Sequence, residues 1–301
     1  MRTAITRSLA AVVAAPLLLV ACNGADGIEP SSTPSPTPVE TGSPTPDAQS
    51  LDDQTAAQLY VTWRKTVYAL PPTRPRAVDV DSAGDGIAVP GSEASDWIRQ
   101  ELELALERGV IVRGDVDAEP LSRVTTTGEA ATVPICSSAQ VRITDVATGD
   151  PVGDEKADES YTRFDVTYRR VEQEWLVERA ESEDENDCVP PSIEEAVAAR
   201  WDVFTEAWYE RDRQGGGEEL GRLTEVVTDR FAQTLRGLAP REPVTDPAEF
   251  TNFELVSATR RSVTAQACRS GGLETIEWKL VKGQWRVDFA GQVGQETKPC
   301  A

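Results

Sequence analysis

The chain has 301 residues, 30 Lys and Arg against 51 Asp and Glu, no histidine, and a net charge of −21 at pH 7. A surface this acidic repels phosphate backbones, which excludes nucleic acid as a partner and argues against heparin-like polymers and anionic bilayer surfaces. Without histidine there is no imidazole base, no Ser-His-Asp or Cys-His arrangement, and no His-ligated zinc or haem.

In chain order, Arg2 and Arg7 precede an uncharged, largely apolar run over residues 9–21. A basic stretch followed by a short apolar one is the pattern of a secretory signal, and the run falls short of the roughly 20 residues a membrane span needs. It ends in Leu19-Val20-Ala21-Cys22, which resembles the lipobox of bacterial lipoproteins. The resemblance implies that residues 1–21 are a signal peptide, cut before Cys22, and that Cys22 carries the lipid. Two or three acyl chains there would anchor the protein to the extracytoplasmic face of the cell membrane. Residues 23–50 hold six prolines, nine Ser or Thr, four acids and no Lys or Arg. Such a segment buries too little apolar surface to offset its ordering entropy, so residues 22–50 read as a lipidated cysteine plus a disordered tether.

The first folded element is an amphipathic helix with Ala56, Tyr60, Trp63, Val67 and Leu70 on one face, ended by Pro71-Pro72. A second helix carries Trp97, Ile98, Leu102, Ala105 and Leu106 and ends at Gly109. "VTYRRVEQEWLV", residues 166–177, alternates apolar and polar around Glu172-Gln173 and predicts a β-hairpin with one buried face. After the joint "CVPPS", residues 188–192, the same order starts again. Ile193, Val197, Trp201, Phe204 and Trp208 predict a third helix, with Ser192 and Glu195 placed for a capping box. Leu220, Leu223, Val227, Phe231 and Leu235 predict a fourth, ending near Gly237. "IEWKLVKGQWRV", residues 276–287, then aligns with the first hairpin without gaps, at a constant offset of 110 residues.

With Cys22 assigned to lipid, Cys136, Cys188, Cys268 and Cys300 remain. In an exported protein an even remainder predicts two disulfides, with three possible connectivities. Each hairpin has one cysteine upstream and one downstream, so the repeat favours Cys136 with Cys188 and Cys268 with Cys300.

Helices first, then antiparallel strands closing on a Trp-x-Val hairpin, resembles the NTF2-like (SnoaL/ketosteroid-isomerase, cystatin-like) superfamily. More narrowly, the chain is similar to the tandem NTF2-like lipoproteins of high-GC Gram-positive bacteria. The resemblance implies an α+β protein of two tandem domains, 51–189 and 190–301, each with N-terminal helices packed on a curved antiparallel sheet. Enzymes of that superfamily use a His/Asp pair, or an Asp with a tyrosine, inside the cone of the sheet. The first route is closed here, and Tyr60, Tyr68 and Tyr168 are the tyrosines placed to approach a cone. "DVDSAGDG", residues 79–86, lacks the acid spacing of a calcium loop, and "ESEDEND", residues 181–187, reads as a solvated run. Gly215-Gly216-Gly217 lacks the Lys-Ser/Thr of a phosphate loop. The sequence therefore predicts no catalytic residue, no metal and no cofactor. It predicts a non-catalytic, lipid-anchored module that binds an envelope protein or wall component. Two alternatives are a carrier of a small apolar ligand held in the cone, and an isomerase or cyclase working with Asp and Tyr. The interior discriminates among them: a filled cone favours the module, a dry cavity the carrier, and a buried Asp facing a Tyr the enzyme.

Overall fold

The computed structural model describes residues 50–69, 79–153, 160–182, 187–216, 220–239, 242–292 and Cys300. Cys22, the signal segment and nearly all of the tether lie outside the described residues, as do Leu70 with Pro71-Pro72 and Glu183–Asn186 of the acidic run. The fold is α+β, with two antiparallel sheets in one compact unit, Asp47–Ala301.

Helix α1 (Asp53–Thr66) is capped by Asp52, whose carboxylate accepts from Thr55 N, and runs into a short 3-10 turn, Val67–Ala69. Helix α2 (Glu93–Arg108) starts at the Ser92 cap and stops where Gly109 turns left-handed at φ 63. Five strands follow: β1 (Val110–Pro120), β2 (Thr125–Thr127), β3 (Ala130–Asp145), β4 (Thr162–Val171) and β5 (Glu174–Glu181). Their order is β1-β3-β4-β5, with β2 pairing β3. Gly114 in β1 carries no Cβ because the Tyr68 ring and the Gln140 carbonyl occupy that space.

Helix α3 (Pro191–Arg213) opens the second half, followed by α4 (Leu223–Val226), α5 (Asp229–Arg236) and strands β6 (Thr251–Ala258), β7 (Ser262–Arg269), β8 (Gly272–Val281) and β9 (Gln284–Gly291). The strand order β6-β7-β8-β9 repeats that of the first sheet. Equivalence extends to detail. The two hairpins turn at Glu172-Gln173 and Lys282-Gly283. Both carry a register shift at matching places, Thr167/Tyr168 and Glu277/Trp278. Val177 and Val287 each form a short parallel bridge to the segment joining their helices, at Ala88 and Val227. The Arg169–Glu178 ion pair in the first hairpin becomes Lys279–Asp288 in the second.

Two sequence expectations fail here for tertiary reasons. Ser192 does not cap α3, which begins one residue earlier with Pro191 at its first turn and no side-chain cap. Both the N–H and the hydroxyl of Ser192 instead donate to Glu119 of β1. The predicted fourth helix is broken at Val227, which turns extended so that Thr228 N–H can donate to the Val287 carbonyl at 2.8 Å. Thr228 then restarts the helix as an N-cap.

Thr228 also donates to Asp288, a buried carboxylate that Arg230 and Lys279 approach from the solvent side. Burial pushes this carboxyl up, but the bonds from Thr228, Arg230 and Lys279 outweigh it and hold it below the usual carboxylate range. A depressed native value contributes stability that is present above the unfolded value and lost as pH falls through the native one. Stability should therefore drop below about pH 4, and Asp288→Asn should flatten that acid limb while lowering the plateau. Urea midpoints measured against pH check this; an unchanged limb would remove Asp288 from the account.

Candidate functional site

The interior of each sheet is built from the buried stripes predicted above. In the first half, Tyr60, Ile98, Ile135, Tyr168 and Val177 are at most 1% exposed. Tyr168 Oη donates to the Ala56 carbonyl at 2.7 Å, tying β4 to α1. Burial pushes the Tyr60 phenol up to about 12, against a smaller downward pull from Arg64, and burial raises Tyr168 further still. Both stay protonated at neutral pH and neither can serve as a base. In the second half, Phe204, Ile276, Trp278 and Val287 are 0% exposed, and Trp201 stacks on Phe253 at 4.1 Å between centroids. A side chain at 0% exposure has no water-sized space against it, so Tyr60, Tyr168, Phe204 and Trp278 are packed in, while Phe253 and, further along α3, Trp208 with Phe250 border cavities. The buried acids among the described residues, Glu274 and Asp288, are ion-paired to Arg269 and to Arg230 and Lys279. Both of these acids lie on strands of the second sheet, whereas Tyr60 and Tyr168 belong to the core of the first half.

The place where polar chemistry collects is the seam between the halves. A groove of about 430 Å³ is lined by Asp115, Val116 and Asp117 of β1, Tyr161, the start of α3, Arg260 in the β6–β7 turn, Leu280 and Trp285. Alternation along β1 puts Asp115, Asp117 and Glu119 on one side of the strand. Each acid takes a different partner. Asp115 pairs with Lys65 at 2.8 Å and sits 3.9 Å from Arg260, and chiefly the Lys65 bond holds its carboxyl below the usual range. Asp117 Oδ2 accepts from the Tyr161 hydroxyl at 2.5 Å. Glu119 accepts from Ser192 at the head of α3. Arg260 reaches across the seam to donate to the carbonyls of Asp115 and Ser138, at 3.2 and 3.4 Å. Tyr161 is 2% exposed, its N–H donates to Ala258 O at 2.9 Å, and burial together with the Asp117 bond raises its phenol strongly.

Tyr161, Asp117 and Arg260 were not singled out by sequence. The alternating acids of β1 were the available signal, but nothing local says that the turn at Arg260, 145 residues further on, lies against them. Of the predicted residues, Cys136 and Cys188 are bonded, as are Cys268 and Cys300. Cys136 is fully buried in the core of the second half, although its strand belongs to the first sheet. Asp79 and Asp81 lie on an exposed turn, and among the described residues no cluster of Cys, Asp or Glu is arranged to hold a metal ion. No described helix is long and apolar enough to cross a membrane.

No protein-family model and no curated protein matches the chain. Among solved structures, the intermembrane space region of chloroplast protein ARC6 is 13% identical and aligns with 44% of this chain and 97% of its own, at a TM-score of 0.35. An NTF2-like protein involved in plasmid conjugation is 7% identical and aligns with 79% of this chain and 95% of its own, at a TM-score of 0.25.

Proposed function

We propose that the chain is an extracytoplasmic lipoprotein, held at the cell membrane by lipid on Cys22 and carried on its tether, whose folded part binds an envelope protein or wall component through its surface. In this reading the two halves are tandem NTF2-like domains in which the cone has become a packed core. The observation that carries it is the packing of both interiors: Tyr60 and Tyr168 in one and Phe204 and Trp278 in the other are fully buried, with no water-sized space against them. The seam groove, with an apolar wall at Leu280 and Trp285 beside Asp115, Asp117 and Arg260, is a surface shaped to receive a partner.

One observation favours a second reading. Asp117 and Tyr161 form an Asp–Tyr pair inside a groove, which an isomerase could use, with the Asp117 carboxylate taking a substrate proton and the Tyr161 hydroxyl bonded to it.

The anchor is tested by Cys22→Ser, which should move the chain from the membrane to the soluble fraction; an unmodified wild-type mass in a soluble protein would sink the proposal. The module is tested with a photo-crosslinking amino acid at position 280, which should capture a partner on intact membranes. Turnover of steroid, polyketide-like or ester substrates that Tyr161→Phe abolishes without unfolding would replace the module with the enzyme.

A further inference from the structure

The second sheet begins with β6, an outer strand. A cavity of about 470 Å³ touches four consecutive residues of it, Phe253, Glu254, Leu255 and Val256. Consecutive strand residues point to opposite faces, so a space that reaches all four lies along the edge of the strand and not over one face. Its far wall is the joint at Asp187–Val189 and the first turns of α3. Val256 is 42% exposed, and Asn252, Phe253 and Val256 have no register partner in β7. The chain shows at one end what this edge accepts. Tyr161 N–H donates to Ala258 O, and Tyr161 O in turn accepts from Cys188 N–H, so a single residue is already laid between β6 and the joint. Beyond Ala258 the described residues make no further such pairing, and the cavity begins.

The rim carries Asp187, Glu194 and Glu254 and no basic residue, and among the described residues none of the three acids is ion-paired. We propose that this edge takes an extended segment of another protein, alternating apolar and basic residues, as an added strand. Backbone hydrogen bonds supply the register, Phe253, Leu255 and Val256 receive the apolar side chains, and the three carboxylates select lysine or arginine. Charge also disfavours the nearer occupants. Residues 23–50 of this chain contain Asp26, Glu29, Glu40 and Asp47 and no Lys or Arg, and a second copy brings a net charge of −21. The inference rests on the binding-module reading and names a surface and a partner chemistry for it.

The test uses the full chain and three labelled octapeptides: one alternating valine and lysine, one alternating valine and glutamate, and the first with N-methylated valines. Only the unmethylated lysine peptide should bind, with an affinity that falls as salt rises. Glu194→Lys with Glu254→Lys, both exposed and so compatible with folding, should reverse the preference by at least about tenfold, equivalent to about 1.4 kcal/mol. Equal binding of the lysine and glutamate peptides, or binding indifferent to N-methylation, overturns the proposal. So does self-association of the chain relieved by Val256→Asp, which would make a second copy the occupant. Failure of the lysine peptide while a partner is still captured at position 280 overturns this edge site and leaves the binding-module reading standing.

Discussion

Replacing Trp278 with alanine should lower stability by about 3–5 kcal/mol, the range for removing a large aromatic from a packed core. Trp278 is 0% exposed, lies 6.1 Å from Phe204 and 6.4 Å from Trp201 between ring centroids, and is paired to Val263 of β7 and Val287 of β9. The side chain is enclosed by neighbouring strands and by α3, so the surroundings can close only part of the hole. Its indole N–H is buried without a partner, which costs about 1–3 kcal/mol in the native protein. Trp278→Phe therefore loses volume but removes the stranded donor, and should cost much less than Trp278→Ala. The equivalent position in the first half, Tyr168, meets the same problem differently, with its hydroxyl satisfied by the Ala56 carbonyl. Urea unfolding with an unchanged slope is the measurement. A loss under 1 kcal/mol for Trp278→Ala would mean that the second interior is loosely packed, reopening the carrier reading.

Removing the Cys136–Cys188 bond by paired alanine substitution should cost about 4 kcal/mol, from the entropy of a loop closed over 52 residues. The effect should spread beyond the first sheet, because Cys136 and the partly buried Cys188 and Val189 pack on the core of the second half. The bond between Cys268 and Cys300 closes a shorter loop of 32 residues and should contribute less. Comparing denaturation midpoints of the two paired variants with the parent checks the order. A larger loss for the Cys268–Cys300 pair would contradict it.

What sequence could reach follows from the range of each interaction. The hairpins were legible because period-two alternation and a two-residue turn are local, and their constant offset exposes the repeat in the sequence itself. Helix α2 was legible to its last residue because Gly109 supplies the left-handed stop. The capping box was misread because Ser192 has a better acceptor in Glu119, 73 residues away. The predicted fourth helix was misread because its apolar spacing runs straight through Val227, while a bridge to Val287 pulls that residue out of the helix. Thr228-Asp229, a strong helix start, was the overlooked local sign. The seam was illegible altogether. Tyr161, Asp117 and Arg260 acquire meaning from the way two sheets meet, whereas attention to Tyr60, Tyr68 and Tyr168 rested on an expected cone: Tyr60 and Tyr168 are sealed into the core, and Tyr68 is only partly buried against it.

Synthesis runs from the N-terminus, so by residue 182 a nascent chain has every strand of the first sheet. It does not yet have Cys188 to bond Cys136, nor Ala258 to receive Tyr161, nor Arg260 to bridge Asp115 and Ser138. The apolar ground around Cys136 and Tyr161 stays wet until residues of α3, α4 and the last sheet arrive to cover it. The earlier half thus finishes on a surface delivered by the later one, and the interval between the two is the window in which a holding chaperone would have most to protect.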